Sequence, residues 1–145
     1  MNVLTPFSSY AGIPLQFLTE EGGRLTDWHR DLVINEAKVA ASNRTNYQAD
    51  GWGDWEISIR VLVPSEQDWR RLSVARGIRA DLWMPKAGTA EAPPSIVEHR
   101  HGVDYAIYTG VMLMAVVKGS VRRLGDGRVI ARLTFRRRSE EEYIW

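Results

Sequence analysis

The strongest constraint on the fold lies in the central stretch 53–85, GDWEISIRVLVPSEQDWRRLSVARGIRADLWMP. From Trp55 to Val63 every second side chain is apolar and most of those between are polar, which is the period of a strand with one buried face. Pro64 then ends the strand, because proline has no amide hydrogen to donate to a neighbour. The pattern predicts a half-buried antiparallel strand at the centre of the chain.

A helix is predicted over 65–76, directly after that strand. Ser65 occupies the N-cap position, and an aspartate three residues later gives a shortened capping box. Trp69 and Leu72 form an inward stripe at helical spacing, and Gly77 supplies the left-handed residue that commonly ends a helix. The sequence IRADLWM that follows alternates again, so a second strand is expected there.

The region 103–137 predicts two long strands joined by a tight turn at 125–127, GDG, whose glycines supply the positive φ angles of a hairpin. The first strand is apolar on both faces between 107 and 117, so we expect its own core to cover one face and either the helix or another subunit to cover the other. The second strand is one-sided. Its polar face carries a ladder of three arginines: Arg128, Arg132 and Arg136.

The chain of 145 residues is predicted to be one domain, 1–145, of mainly β class: a β-barrel or sandwich of antiparallel strands with one short α-helix. We expect an N-terminal arm at 1–24, because that stretch has no regular period, and its aromatic and aliphatic content suggests that it docks on its own barrel or on a neighbour. The barrel would span 25–138, and an acidic and aromatic tail would follow at 139–145. Within the barrel we expect a strand around 31–40, followed by a polar loop or β-excursion.

The composition excludes several classes of function. The net charge is +1 and there are no cysteines, which rules out a disulfide framework and a thiolate metal site. The longest apolar run, 111–117, is far shorter than a membrane-spanning helix, and no signal-peptide pattern opens the chain. No nucleophile elbow, glycine-rich phosphate loop or cofactor motif is visible. We therefore expect a protein that is not an enzyme, has no cofactor and does not associate with membranes.

Two small clusters of polar residues admit a chemical interpretation beside a simpler one. His99 and His101 could chelate a metal with a third ligand, or could be two exposed loop histidines. Asp27, His29 and Asp31 could form an acid–base set on one strand face, or could be solvated residues at a strand entrance. The simpler interpretation is favoured for both.

Two binding functions also remain open. The arginine ladder and the aromatic residues could contact nucleic acid, although a net charge of +1 favours pairing of the ladder with acidic residues. Trp52, Trp55 and Trp69 could line a small-ligand cavity within the barrel.

The order of these elements resembles the tail-tube fold of long-tailed bacteriophages, which distal tail and baseplate adaptor proteins reuse. The resemblance spans roughly 50–138 and is carried by GDWEISIRVLV, SEQDWRRLSVARG, IRADLWMP, YTGVMLMAVVKGS and GDGRVIARLTFRR. It implies a structural virion protein that forms hexameric rings with copies of itself and contacts neighbouring tail proteins after assembly in the bacterial cytoplasm. DNA would pass only transiently, if one strand face lines the lumen.

The resemblance also implies where subunits meet. The doubly apolar strand 107–117 would join the intersubunit sheet, while the arm 1–24 and a loop at 86–104 would make stacking contacts between rings. The arginine ladder would line the lumen or pair with opposite charges. Another phage part, such as a connector, terminator or capsid decoration protein, is the second interpretation. The residues expected at the subunit interface are Tyr108, Val111, Met112, Leu113, Met114, Val116, Phe7 and Tyr10.

Overall fold

A computed structural model describes residues 8–19, 27–30, 32–38, 45–86 and 92–138, with the backbone alone described for 32–38 and 45–52. Within these residues the chain is mostly antiparallel β-sheet with one short helix, α1 (Glu66–Val74), which confirms the mainly-β fold class. The strands are β1 (Ser9–Tyr10), β2 (Ile13–Pro14), β3 (Gln16–Phe17), β4 (Leu32–Lys38), β5 (Thr45–Trp52), β6 (Trp55–Val63), β7 (Arg79–Pro85), β8 (Ile96–Arg100), β9 (Val103–Val116), β10 (Arg122–Arg123) and β11 (Val129–Arg137).

One large sheet has the strand order β2-β1-β7-β9-β11-β6-β3, with β8 paired to β9 and β10 paired to β11. The ends of this order, β2 and β3, are separated along the chain only by Leu15, so the sheet must curl until its two edges approach each other. Because β2 and β3 do not pair with each other, the sheet is curled without being a closed barrel, which corrects the barrel expectation. Strands β4 and β5 form a separate hairpin over the predicted strand and the polar stretch after it.

The core lies on the inner face of the curled sheet. Strands β6 and β11 pair over nine positions, from Val129 opposite Val63 to Arg137 opposite Trp55. The apolar alternation seen in the sequence of β6 faces inward as predicted, and its members are almost fully buried. Burying such side chains contributes roughly 1.5–3 kcal/mol each, which is the main force that holds the strands together.

Helix α1 begins where the sequence predicts. The Ser65 hydroxyl accepts a hydrogen bond from the Asp68 amide at 3.2 Å, and this N-cap satisfies one of the free amides of the first turn. Trp69 and Leu72 are buried and belong to the same core as the sheet. The helix ends at Val74, two residues before the predicted end, and the chain then turns back to the sheet.

The described part of the predicted N-terminal arm, residues 8–19, packs on the chain's own sheet, the first of the two dockings that the sequence allowed. Strands β1, β2 and β3 belong to the large sheet, and their inward side chains are buried in the core. Short strands with a tight turn between them produce neither a helical nor a strand period, which is why the stretch had no regular pattern. The rest of 1–24 lies outside the described residues. The buried residues are Tyr10, Ile13, Leu15 and Phe17.

Two predicted connections also differ from the structure. The turn at 125–127 joins the short strand β10 to β11, with the Leu124 amide donating to the Arg128 carbonyl at 2.8 Å, whereas β9 reaches β11 through residues 117–128. The expected loop 86–104 contains strand β8, the start of β9 and a turn between them. His101 and Gly102 in this turn have positive φ angles of 49° and 79°, as a two-residue hairpin requires.

Candidate assembly surface and buried polar cluster

Four of the residues predicted at a subunit interface belong to the core of the single chain. Tyr10, Tyr108, Val111 and Leu113 are at most 5% exposed, so they present no surface to a second copy. The doubly apolar pattern of β9 identified buried positions correctly but did not distinguish burial within one chain from burial between chains. This corrects the interface assignment for these four residues.

The remaining predicted interface residues differ in exposure. Met112 is partly exposed and Met114 is exposed, so their side chains could reach another chain, whereas Val116 is partly buried against the core. The pairing of β9 with β11 skips Met114, which marks a bulge in β9 at this residue. Phe7 lies outside the described residues.

The arginine ladder lies on the sheet face opposite the core and is partnered within the chain. Arg128 Nε lies 2.6 Å from Asp126 Oδ2, and Arg136 Nη2 lies 3.1 Å from Glu56 Oε2. Arg132 Nη1 donates to the Ser58 carbonyl at 3.2 Å. The backbone amide of Arg128 and then its guanidinium hold the pKa of Asp126 below its ordinary value. Arg128 and Arg136 are therefore paired with carboxylates of the same chain, whereas the contact described for Arg132 is with a neutral carbonyl.

Strand β8 is an edge strand that sequence analysis missed. It pairs with β9 on one side, and no other described strand pairs with it. Ile96 and Val97 point to opposite faces and are 60% and 48% exposed, while Glu98 and Arg100 form an ion pair near the other end. The signal was present in IVEHR and VDYAIY, two alternating runs on either side of a His-Gly turn. We call Ile96–Arg100 the β8 edge.

A buried polar cluster is formed by Trp28, Tyr108 and Arg137. The rings of Trp28 and Tyr108 lie 5.0 Å apart between centroids, and Arg137 Nε donates to the Thr109 carbonyl at 2.8 Å. Burial raises the pKa of Tyr108, an effect partly offset by the Trp28 indole N–H and by the positive charge of Arg137. Arg137 Nη1 is buried without a hydrogen-bond partner among the described residues, while Trp28 Nε1 lies close enough to the Tyr108 hydroxyl to lower its pKa but forms no well-aligned hydrogen bond among them.

The backbone explains how an arginine enters this position. Side chains at 129, 131, 133 and 135 of β11 face the core, and Arg137 is the next in the same alternation. A register shift in the pairing of β7 with β9 and a positive φ of 67° at Gly110 mark an irregularity beside Thr109. The period of two in β11 places Arg137 on the apolar face, whereas the residues predicted from the sequence were the outward arginines alone.

The two small polar clusters are not assembled into sites by the described residues. His99 Nδ1 lies 2.7 Å from Asp104 Oδ1 across the β8–β9 hairpin, with both side chains exposed. Throughout the described ranges, no three or more histidine, aspartate and glutamate side chains are grouped to hold a metal. His29 forms a backbone bridge with Glu56, Asp27 is exposed, and Asp31 lies outside the described residues.

Two of the three tryptophans that could have lined a ligand cavity pack in the core instead. Trp55 and Trp69 belong to the core, and nothing is described of the Trp52 side chain. The Arg30 guanidinium lies 4.3 Å from the centroid of the Trp55 ring, a distance suited to a cation–π contact. An open groove lies instead along the outside of α1, where Val74 and Ile78 are exposed.

Within the described residues, no helix has the length and apolar character needed to cross a bilayer. A scan against protein-family profiles, a search of curated proteins and a search of solved structures each found no match for this chain.

Proposed function

We propose that this chain is a structural virion protein that assembles with copies of itself into hexameric rings, as subunits of a bacteriophage tail tube or tail adaptor do. The observation that carries the proposal is the β8 edge. An edge strand presents unpaired amide and carbonyl groups that template pairing with another chain. The subunit would act by geometry, without catalysis or a cofactor.

The side chains of the β8 edge suit such pairing. Ile96 and Val97 would bury apolar surface on both faces of an extended sheet, which would contribute to affinity. Glu98 and Arg100, already paired with each other, would sit at the rim and favour one register over others. A lone soluble chain usually protects such an edge with charged residues or proline, yet the first two positions of β8 are exposed aliphatic residues.

The outer sheet face offers a second contact. Met112 and Met114 lie on β9 beside the arginine ladder, and methionine side chains adapt readily to a partner surface. Two kinds of contact on one subunit, an edge and a face, are what a closed ring built from head-to-tail interfaces needs. Neighbouring tail proteins would be the further partners, and DNA would be met only transiently.

The test is the mass of the purified protein in solution by light scattering, with negative-stain images over a range of concentrations. We expect six-fold rings for the natural chain. A double variant, Ile96→Lys with Val97→Lys, should remain folded but shift the population to monomer, because lysine on both faces opposes stacking of a second edge. The matched control is Val74→Lys with Ile78→Lys, which adds the same two charges at positions that are 83% and 50% exposed and lie away from the edge.

The outcomes separate the two surfaces. Loss of rings in the β8 variant alone assigns the contact to the edge, and loss in a Met112→Asp with Met114→Asp variant assigns it to the sheet face. If the natural chain stays monomeric at every concentration, self-assembly is wrong. Rings that persist in both double variants would remove these surfaces from the proposal.

A further inference from the structure

We propose that the buried polar cluster of Trp28, Tyr108 and Arg137 is a binding site for an oxyanion, either a carboxylate or a small inorganic anion such as phosphate. The inference rests on donors and charge within one chain and does not depend on ring assembly. Its first basis is a pair of buried side-chain donors: Arg137 Nη1 has no acceptor among the described residues, and Trp28 Nε1 has no well-aligned one, although it lies near the Tyr108 hydroxyl.

Such donors are uncommon in native cores. A buried N–H that loses its bond to water without gaining another typically costs about 1–3 kcal/mol, more for a charged group, so nearly all find a protein, water or ion partner. Here two occur in side chains that are each 6% exposed. Both adjoin the same part of β9, because the Tyr108 ring packs against Trp28 and Arg137 donates to the carbonyl of the next residue, Thr109. We infer that one acceptor at this place would serve both donors.

The charge favours an anion as that acceptor. Among the described residues Arg137 forms no ion pair, and its one hydrogen bond is to the neutral Thr109 carbonyl. The carboxylate of Glu56 lies on the opposite sheet face, where it pairs with Arg136 at 3.1 Å. A buried guanidinium without a counter-ion is costly, whereas one that binds an oxyanion forms charge-assisted hydrogen bonds. The cluster also offers the Tyr108 hydroxyl as one further donor beside the indole.

The bound oxyanion could come from two sources. One is a free anion from solution. The other is a carboxylate of the chain itself, since Glu140, Glu141 and Glu142 follow β11 by only a few residues in the sequence. A bound water would satisfy the donors but not the charge.

The experiment follows the indole ¹H–¹⁵N resonances of the full-length protein during titration with acetate and, separately, inorganic phosphate at constant ionic strength. The Trp28 resonance is assigned from its loss in Trp28→Phe, which keeps an aromatic ring against Tyr108. We expect this resonance to move and saturate, and Arg137→Met to weaken the response at least tenfold. The matched control is Arg136→Met, the adjacent arginine on the opposite face, which should respond as the natural chain does.

A second arm separates the sources. If the natural chain does not respond, the same titration is made with a triple variant, Glu140→Gln, Glu141→Gln and Glu142→Gln. A Trp28 resonance that shifts in this variant and then responds to acetate assigns the site to the chain's own carboxylates. A Trp28 resonance that is unmoved by both anions in both proteins overturns the site and leaves water as the acceptor.

A variant that fails to fold would not block the test. Arg137→Lys keeps the charge but not the planar fork, so it should retain binding with weaker affinity, whereas Arg137→Met should lose it. A general effect of phosphate on the protein would move the Trp28 resonance equally in all variants. An equal response in the natural chain and in both Arg137 variants would therefore also overturn the proposal.

Discussion

Two buried polar side chains, those of Tyr10 and Arg137, hydrogen-bond to the same strand, β9, in different ways. Tyr10 donates its hydroxyl hydrogen to the Val111 carbonyl at 2.8 Å and accepts from the Leu113 amide at 3.1 Å. Two residues earlier, the Thr109 carbonyl accepts from Arg137, whose Nη1 has no partner among the described residues. The first group is satisfied and neutral, while the second is charged and only partly satisfied.

The difference indicates that one buried polar group stabilises the fold while the other is available for binding. A satisfied buried hydroxyl adds stability and fixes β1 against β9, because breaking it would leave β9 groups without partners. A buried guanidinium adds little stability unless an anion reaches it. We therefore expect substitutions near Tyr10 to affect folding and substitutions at Arg137 to affect binding.

The largest effect on stability is expected at Phe135, which is related to both Tyr10 and Arg137. Its ring packs on Tyr10 with centroids 5.0 Å apart, and it precedes Arg137 in the inward alternation of β11. Phe135→Ala should lower the free energy of unfolding by about 3–5 kcal/mol, because it leaves a cavity in a packed core. Chemical denaturation measures this, with Phe135→Leu as the milder control. A loss under 1 kcal/mol would mean that the core is not packed as described.

An intermediate effect is expected for Tyr10→Phe, which removes one oxygen and keeps the ring. The loss should be roughly 1–3 kcal/mol, since the Val111 carbonyl and the Leu113 amide lose a buried partner. The same denaturation assay checks it. If the variant is as stable as the natural chain, the contrast between a structural and a binding polar group fails.

Raising the pH gives a second test of the structural role of Tyr10. Burial raises the pKa of Tyr10 above its ordinary value, so the folded state keeps this proton where the unfolded chain releases it. The resulting stability is fully present below about pH 10 and is lost as the pH rises through the folded-state pKa. Unfolding measured from pH 8 to 11 should show a fall that is shallower in Tyr10→Phe, with Tyr108 contributing in the same direction. Identical slopes would contradict the assignment.

The smallest effect is expected for Arg137→Met in a buffer free of oxyanions. The variant loses one hydrogen bond to the Thr109 carbonyl but also removes an unsatisfied donor and a buried charge. These changes oppose each other, so the free energy of unfolding should change by no more than about 1 kcal/mol. Thermal and chemical unfolding give the value. A loss of several kcal/mol would place Arg137 with Tyr10 among the structural groups.

Prediction from the sequence succeeded where the spacing of apolar residues within one element showed which of its faces is buried. Strand β6 and helix α1 were identified from alternation and from the Ser65 cap, because these signals depend on neighbours a few residues away. It failed for β1–β3 and β8, whose strands are short and whose order depends on distant partners. The interface assignment failed for Val111 and Leu113 because an apolar strand face does not say which surface covers it.

What the sequence determined by itself is the class of fold: antiparallel strands of period two and one capped helix. The tertiary structure alone decided that the sheet curls until its end strands approach each other at Leu15, and that β8 lies at an edge. It also decided that the donors of Arg137 and Trp28 are buried in one cluster. The physical reason is the distance along the chain over which each feature is set. Periodicity arises from backbone geometry within one element, whereas a buried cluster depends on the register of strands that lie far apart in the chain.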